Sequence, residues 1–307
     1  MGNFGTLQQI FLTNEFGKWS FWLSRRSSKA VMRQTGKENS QHSLAPSKAI
    51  AWSISFFLSL GLSASLGTVS VAAEAETAPP KLREVISEIE AAANDRDLGR
   101  IENFYSSSFT NSDDLNRREL IATLKKLWEE YPKLNYRTEL VSWEQSGEAI
   151  VAETITYVDG SVLRDGRMVR MESTLRSRQR LENEEIVAQE ILAETTQVSA
   201  GNNPPQVMLN LPEQVRLGES FNFDAIVTEP LADDLLMGAA IEEQVSGDRY
   251  LEPAELELDL LPAGGLFKVG RITDRPGDRW VSAILIRGDG MTIVSQRLHV
   301  VGNTAVR

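Results

Sequence analysis

Apolar positions set the first pattern. Leu82, Val85, Ile86 and Ile89 recur at three-and-four spacing, which predicts an amphipathic helix with one stripe turned to a core. Leu98, Ile101, Phe104 and Tyr105 continue the spacing on a second, short helix after Asn94–Asp97. A third helix is marked at both ends. Asn116 can cap it, Glu119 stands three residues on in capping-box position, and Pro132 stops it. Its stripe is Leu120, Ile121, Leu124, Leu127, Trp128 and Tyr131. Between the second and third helices, Ser106–Ser108 and Asn111–Asp114 read as cap and turn residues. Their side chains compete for local backbone groups, and the acids sit where a helix N-terminus welcomes negative charge.

The period then changes to two. "YRTELVSW", "EAIVAETITYV", "RMVRMESTLRSRQRL" and "EIVAQEILAETTQV" alternate and are rich in β-branched residues, with "EQSG", "DGSVLRDG" and "ENE" as turns. Val169, Met171, Ser173 and Leu175 share one face of the third strand. Arg170, Glu172, Thr174, Arg176, Arg178 and Arg180 share the other, as a wet face paired across strands with Glu139, Glu153, Glu190 or Glu194. After "SAGNNPP" (199–205), a linker by composition, about seven short strands follow, ending in "RWVSAILIR" and "MTIVSQRLHVV". Regular short strands with turn signals predict an antiparallel sandwich. Arg287-Gly288-Asp289 reads as part of a hairpin turn rather than an adhesion motif. The acids between Glu229 and Glu257 lack the alternating oxygen spacing of a calcium loop and read as solvated.

Upstream, no charged residue occurs from Ala49 to Ala73, and Arg25, Arg26, Lys29, Arg33, Lys37 and Lys48 precede that run. This is the pattern of an export signal, with cleavage at Ala73 or Ala75 where small residues close it. The alternative is an uncleaved single-pass anchor through Ala49–Ala73, since about 20 apolar residues span a bilayer. Residues 1–47 are long for a signal's basic segment, and Met32 is the better start.

Charge and composition narrow the chemistry. Before Glu76 seven Lys/Arg stand against three Asp/Glu; from Glu76 onward it is 25 against 40, a net of −15. Such an acidic body repels nucleic acid. The absence of cysteine removes disulfides, thiol catalysis and thiolate metal sites. His42 precedes the export run, leaving His299 as the one histidine of the body, in the last strand. That is too little for the usual zinc, copper or haem sites or for a Ser-His-Asp arrangement, so no metal and no cofactor is expected. No glycine-rich phosphate loop follows a strand.

The stretch "EIEAAANDRDLGRIENFYSSSFTNSDDLNRRELIATLKKLW" resembles the opening of the nuclear transport factor 2-like superfamily. That is the cone-shaped fold shared with SnoaL-like polyketide cyclases and ketosteroid isomerases. The resemblance covers Leu82 to Val198. It implies three helices on a curved antiparallel sheet and a pocket between them, lined by Tyr105, Trp128, Tyr136, Tyr157 and Met171. The other reading of these residues is ordinary core packing. An isomerase-like site would need a carboxylate base facing a Tyr or a protonated acid. Asp113, Asp114, Glu139 and Glu153 are the available acids, none in an apolar context, and no catalytic residue of the family maps onto this chain. The second half resembles immunoglobulin-like or fibronectin-like envelope modules, on strand count and the ending "PGDRWVSAILIRGDG".

The expected fold class is therefore α+β: a signal segment, a cone of three helices and a curved sheet, then an all-β sandwich. The expected division is a basic extension (1–47), signal or anchor (48–75), spacer (76–81), cone (82–198), linker (199–205), sandwich (206–303) and tail (304–307). The expected function is a non-catalytic, extracytoplasmic binding or scaffolding module, in periplasm, secreted, or in a thylakoid lumen. Its partner would be an envelope protein or a small apolar ligand, with a homodimer through the first sheet as a further expectation. The alternative is an isomerase, cyclase or hydrolase using carboxylate and Tyr chemistry.

Overall fold

A computed structural model describes residues 73–231, 234–245, 258–261, 264–288 and 290–302. The Met32 start and the uncharged run, apart from Ala73, lie outside the described residues. So does "AELELDL" up to residue 257.

Three helices form where the stripes place them, the second ending at Glu102 before Phe104 and Tyr105. Helix α1 spans Pro80–Asp95 and buries Leu82, Val85 and Ile86; its proline stands at the first turn, where a missing N–H costs nothing. Helix α2 is Leu98–Glu102, with Asp97 accepting the Arg100 N–H as its cap. Helix α3 is Arg117–Glu130 and carries the full capping box. Asn116 accepts the Glu119 N–H at 3.1 Å, and Glu119 accepts the Asn116 N–H at 3.0 Å.

The rest is mostly antiparallel sheet. Strand β1 (Ala73–Glu74) pairs with β3 (Leu134–Ser146), followed in space by β4 (Ala149–Arg164), β5 (Arg167–Glu182) and β6 (Glu185–Gly201). The sheet does not end there. Beyond β6 come β14 (Gly290–Val301), β13 (Gly277–Arg287), β10 (Leu236–Gln244) and β11 (Asp259–Leu260). A second sheet contains β12 (Gly265–Arg271), β9 (Ser220–Val227) and β7 (Val207–Asn210). Two strands join the large sheet in parallel: β2 (Tyr105–Asn111) on β6, and β8 (Gln214–Arg216) on β14.

Several expectations are corrected. Tyr105–Asn111 is a strand rather than a helix end and a cap. Tyr105 and Phe109 are buried edge-to-face, 4.9 Å between centroids, while the serines between them face outward, and pairing to β6 satisfies the backbone. Only Asn111–Asp114 turns, with the Asn111 side-chain oxygen accepting the N–H groups of Asp113 and Leu115. "DGSVLRDG" is strand as far as Arg164, so the turn is Asp165-Gly166 alone. Ser199–Gly201 does not begin a linker. It closes β6 and pairs with Thr292, Met291 and Gly290 of β14.

That pairing fuses the two halves. One core gathers residues of the three helices and of β2–β6, such as Leu82, Leu124 and Met171, and also Ile284, Ile286, Met291 and Ile293 from β13 and β14. On the other face of the same strands, Ala283, Leu285, Val294 and Leu298 pack with Phe221, Phe223 and Leu266 of the second sheet. Strand β13 is buried on both faces from Trp280 to Arg287. A mostly apolar run is what such a doubly covered strand requires, and the polar Ser282 within it is bonded to Ser295 at 2.9 Å.

Candidate functional site

Two places gather chemistry: a cavity between helices and sheet, and a charged seam where β6 changes partner.

The cavity measures about 80 Å³ and lies between α1, α3 and the inner face of β3–β5. That is room for several waters or a small part of a ligand, about 10–15 Å³ of such volume sufficing for one water. Helix residues Ile86, Ile89, Ala93, Leu124 and Leu127 make its apolar wall. The opposite wall is hydroxyl-rich because the inward positions of these strands are Thr138, Thr154, Thr156, Ser173 and Ser177. These groups bond mainly to one another. Thr138 and Thr156 lie 3.1 Å apart, Thr154 and Ser177 3.4 Å, and Gln179 and Gln189 both donate to Ser177 at 3.4 Å. The acid on the wall is Glu90, whose Oε2 accepts the Thr138 N–H at 2.5 Å. Tyr105 differs from its neighbours. It is 7% exposed, it lines the cavity, and its hydroxyl has no hydrogen-bond partner among the described residues. Burial pushes its phenol up to about 12, so it is present as a donor.

Of the five expected pocket residues, Tyr105 and Tyr136 line this cavity. Trp128 stands behind, donating its indole N–H to the Tyr136 hydroxyl at 2.8 Å. Burial raises the Tyr136 phenol to about 12, against the opposing effect of that bond. Tyr157 is on the outer face, with the Arg137 guanidinium 4.0 Å above its ring, because its neighbours Thr156 and Val158 take the inward positions. Met171 is fully buried one rung away and packs in the core. Ala73, a candidate cleavage position, pairs with Trp143 of β3, and Ala75 begins a single 3-10 turn, Ala75–Thr77.

The wet face is as expected in part. Arg176 bonds Glu153, Arg178 bonds Glu190 at 2.8 Å, and Glu139 takes Arg137. Glu194 and Asp113 are elsewhere. Both are buried, contrary to the expectation that no acid sits in an apolar context.

They belong to the seam. Residues Ile186–Gln189 of β6 accompany β2, and Thr195–Gly201 accompany β14. In the interval, Arg297 reaches Asp113 through two bonds of 2.9 and 2.8 Å, Glu194 at 2.9 Å and Asp278 at 2.8 Å. The Trp280 indole donates to Glu194 at 3.2 Å. Burial would lower the Arg297 pKa, but Glu194, Asp113 and Asp278 drive it upward. His299 completes the cluster, with Nδ1 2.8 Å from Asp278 Oδ1 and Nε2 2.6 Å from the Leu192 carbonyl. Its bond to Asp278 raises its pKa against the opposing effect of burial. Sequence reasoning placed His299 as a partly buried strand residue and missed the rest. The available signal was an arginine inside the otherwise apolar "MTIVSQRLHVV".

The same strands bury two further arginines. Arg279 meets Asp274 and Glu242, and Arg287 meets Glu229 at 3.1 Å. Arg287 is 4% exposed, so an Arg-Gly-Asp tripeptide cannot be presented here as an adhesion motif. Among the described residues no group of three His, Cys, Asp or Glu side chains could hold a metal. Among them, too, no helix is long and apolar enough to cross a membrane.

Residues 202–301 match a family described as "Domain of unknown function (DUF8623)", about a third of the chain. No curated protein matches it in sequence. Among solved structures the chain is similar to Bd1075 of Bdellovibrio bacteriovorus, at 15% identity and a TM-score of 0.27, over 36% of this chain and 38% of that one. It is similar to a SnoaL-like polyketide cyclase from Agrobacterium tumefaciens, at 13% identity and 0.27, over 36% and 88%. A SnoaL-like polyketide cyclase described as putative, from Jannaschia, matches at 14% identity and 0.28, over 37% and 88%. At these identities and scores the likenesses assign no activity to the chain.

Proposed function

We propose that the chain is a non-catalytic binding module of the cone type, exported from the cytoplasm, whose ligand is a small, largely apolar molecule seated against Tyr105. One observation carries this reading. The polar groups on the cavity wall are largely consumed by bonds among themselves, and the hydroxyl of Tyr105, which also lines the cavity, bonds to none of them. That hydroxyl is reachable from the cavity, so an acceptor on a ligand could take its hydrogen bond in place of solvent. Enzyme chemistry has less to work with. Glu90 is the acid in the cavity, and it is bonded to a backbone N–H rather than to a tyrosine. Export is supported by the uncharged run Ala49–Ala73 behind its basic flank.

Native mass spectrometry of the protein purified from its own host under mild conditions tests the reading. A small apolar adduct is expected on the wild type and not on Leu124→Trp, which fills the cavity. Wild type and Leu124→Trp carrying the same adduct would count against it. Finding the full-length chain free in the cytosol would count against the export part.

A further inference from the structure

His299 faces acceptors on both sides. Nδ1 meets the Asp278 carboxylate at 2.8 Å and Nε2 meets the Leu192 carbonyl at 2.6 Å. A neutral imidazole carries one N–H, so either tautomer would turn a lone pair toward an acceptor. Only the imidazolium, with two N–H groups, fits both contacts. The ring sits where a proton can come and go, with its side chain 25% exposed.

The charges around it give the proton leverage. From β13 comes Asp278, from β14 Arg297, from β6 Glu194 and from the turn after β2 Asp113. Glu213, before β8, meets His299 through its carbonyl, which accepts the His299 N–H at 2.9 Å. Within the bonded cluster, three carboxylates face one guanidinium and the imidazolium. Losing the ring proton takes the sum from −1 to −2 in a place where Glu194, Asp113 and Arg297 are all buried. It also leaves either Asp278 or Leu192 opposite a lone pair. Leu192 lies in the interval of β6 where neither β2 nor β14 is paired to it. Contacts to His299 therefore hold β6 to the second half at its least supported point.

We infer that His299 is a proton-operated latch: as the imidazolium it ties β6 to β13 across the seam, and loss of its proton to solvent loosens that seam. The inference goes beyond ligand binding and stands independently of it. Its consequence is a module whose two halves are rigidly coupled at acidic pH and less so at alkaline pH.

Two measurements on the full chain test this. Nitrogen-15 histidine spectra of the wild type, with His42→Gln to assign the signals, should show His299 doubly protonated at pH 5.5 and titrating above 6.5. Amide exchange at residues 191–196, corrected for intrinsic rates, should rise several-fold between pH 5.5 and 8.5 in the wild type and stay level in His299→Gln. A neutral tautomer at pH 5.5, or a midpoint below 6.5, overturns the latch without any need for the variant to fold. An equal pH response in wild type and His299→Gln overturns it as well.

Discussion

Arg297 and Asp113 meet in a two-pronged ion pair although 184 residues separate them along the chain. The arginine side chain is wholly buried, and the aspartate is 3% exposed. A pair so placed does not announce net stability, because desolvating both ions opposes their attraction. Its importance lies in what a broken pair would leave behind: carboxylates in the interior with no counter-charge.

Arg297→Met should therefore destabilise the protein by about 3–5 kcal/mol in urea denaturation. Adding Asp113→Asn and Glu194→Gln should restore a large part of that loss, since the orphaned charges are then gone. A loss under about 1 kcal/mol for Arg297→Met alone would mean that solvent reaches the cluster.

Glu130, at the end of α3, supplies a pH dependence of its own. Burial raises its carboxyl to about 7, with Arg164 at 4.0 Å only partly offsetting it. The folded pKa exceeds the unfolded one, so the unfolded chain releases this proton first as pH rises. The associated stability is complete below the ordinary carboxylate range and is lost as pH passes through about 7. Glu130→Gln should match wild type at pH 4. At pH 8 it should be more stable by about 1–2 kcal/mol, allowing for screening at a half-buried site. Thermal denaturation at the two pH values reads the difference.

Tyr105→Phe removes a hydroxyl that bonds nothing in the protein. Stability in denaturant should change by less than about 0.5 kcal/mol or rise slightly. By contrast, Trp128→Phe breaks the bond to the Tyr136 hydroxyl in a buried site and should cost about 1–3 kcal/mol. Equal losses from the two substitutions would show that the Tyr105 hydroxyl already has a partner.

Gly290 closes the β13–β14 hairpin, where the 203–204 backbone crosses it. A methyl group added there would come within 2.1 Å of the Asn203 carbonyl oxygen. Gly290→Ala should cost about 1–3 kcal/mol, because backbone rather than a flexible side-chain tip must move. Amide exchange along β14 beside Gly201 should rise with it.

Local grammar was written in the chain. The stripe and capping box of α3 depend on residues no more than a few positions apart, and so does the alternation of β5. Those interactions are fixed by backbone geometry, and their spacing shows in the residues themselves. Tertiary pairing decided the rest. Tyr105–Asn111 reads as helix punctuation until β6 offers it a ladder. Ser199–Gly201 reads as a linker until β14 does the same, and Glu194 reads as a wet-face partner until Arg297 and Trp280 meet it in the interior. A polar side chain can be solvated, capped or buried with a partner at nearly the same local cost. Which of these occurs depends on what distant strands bring against it, and no spacing in the sequence records that.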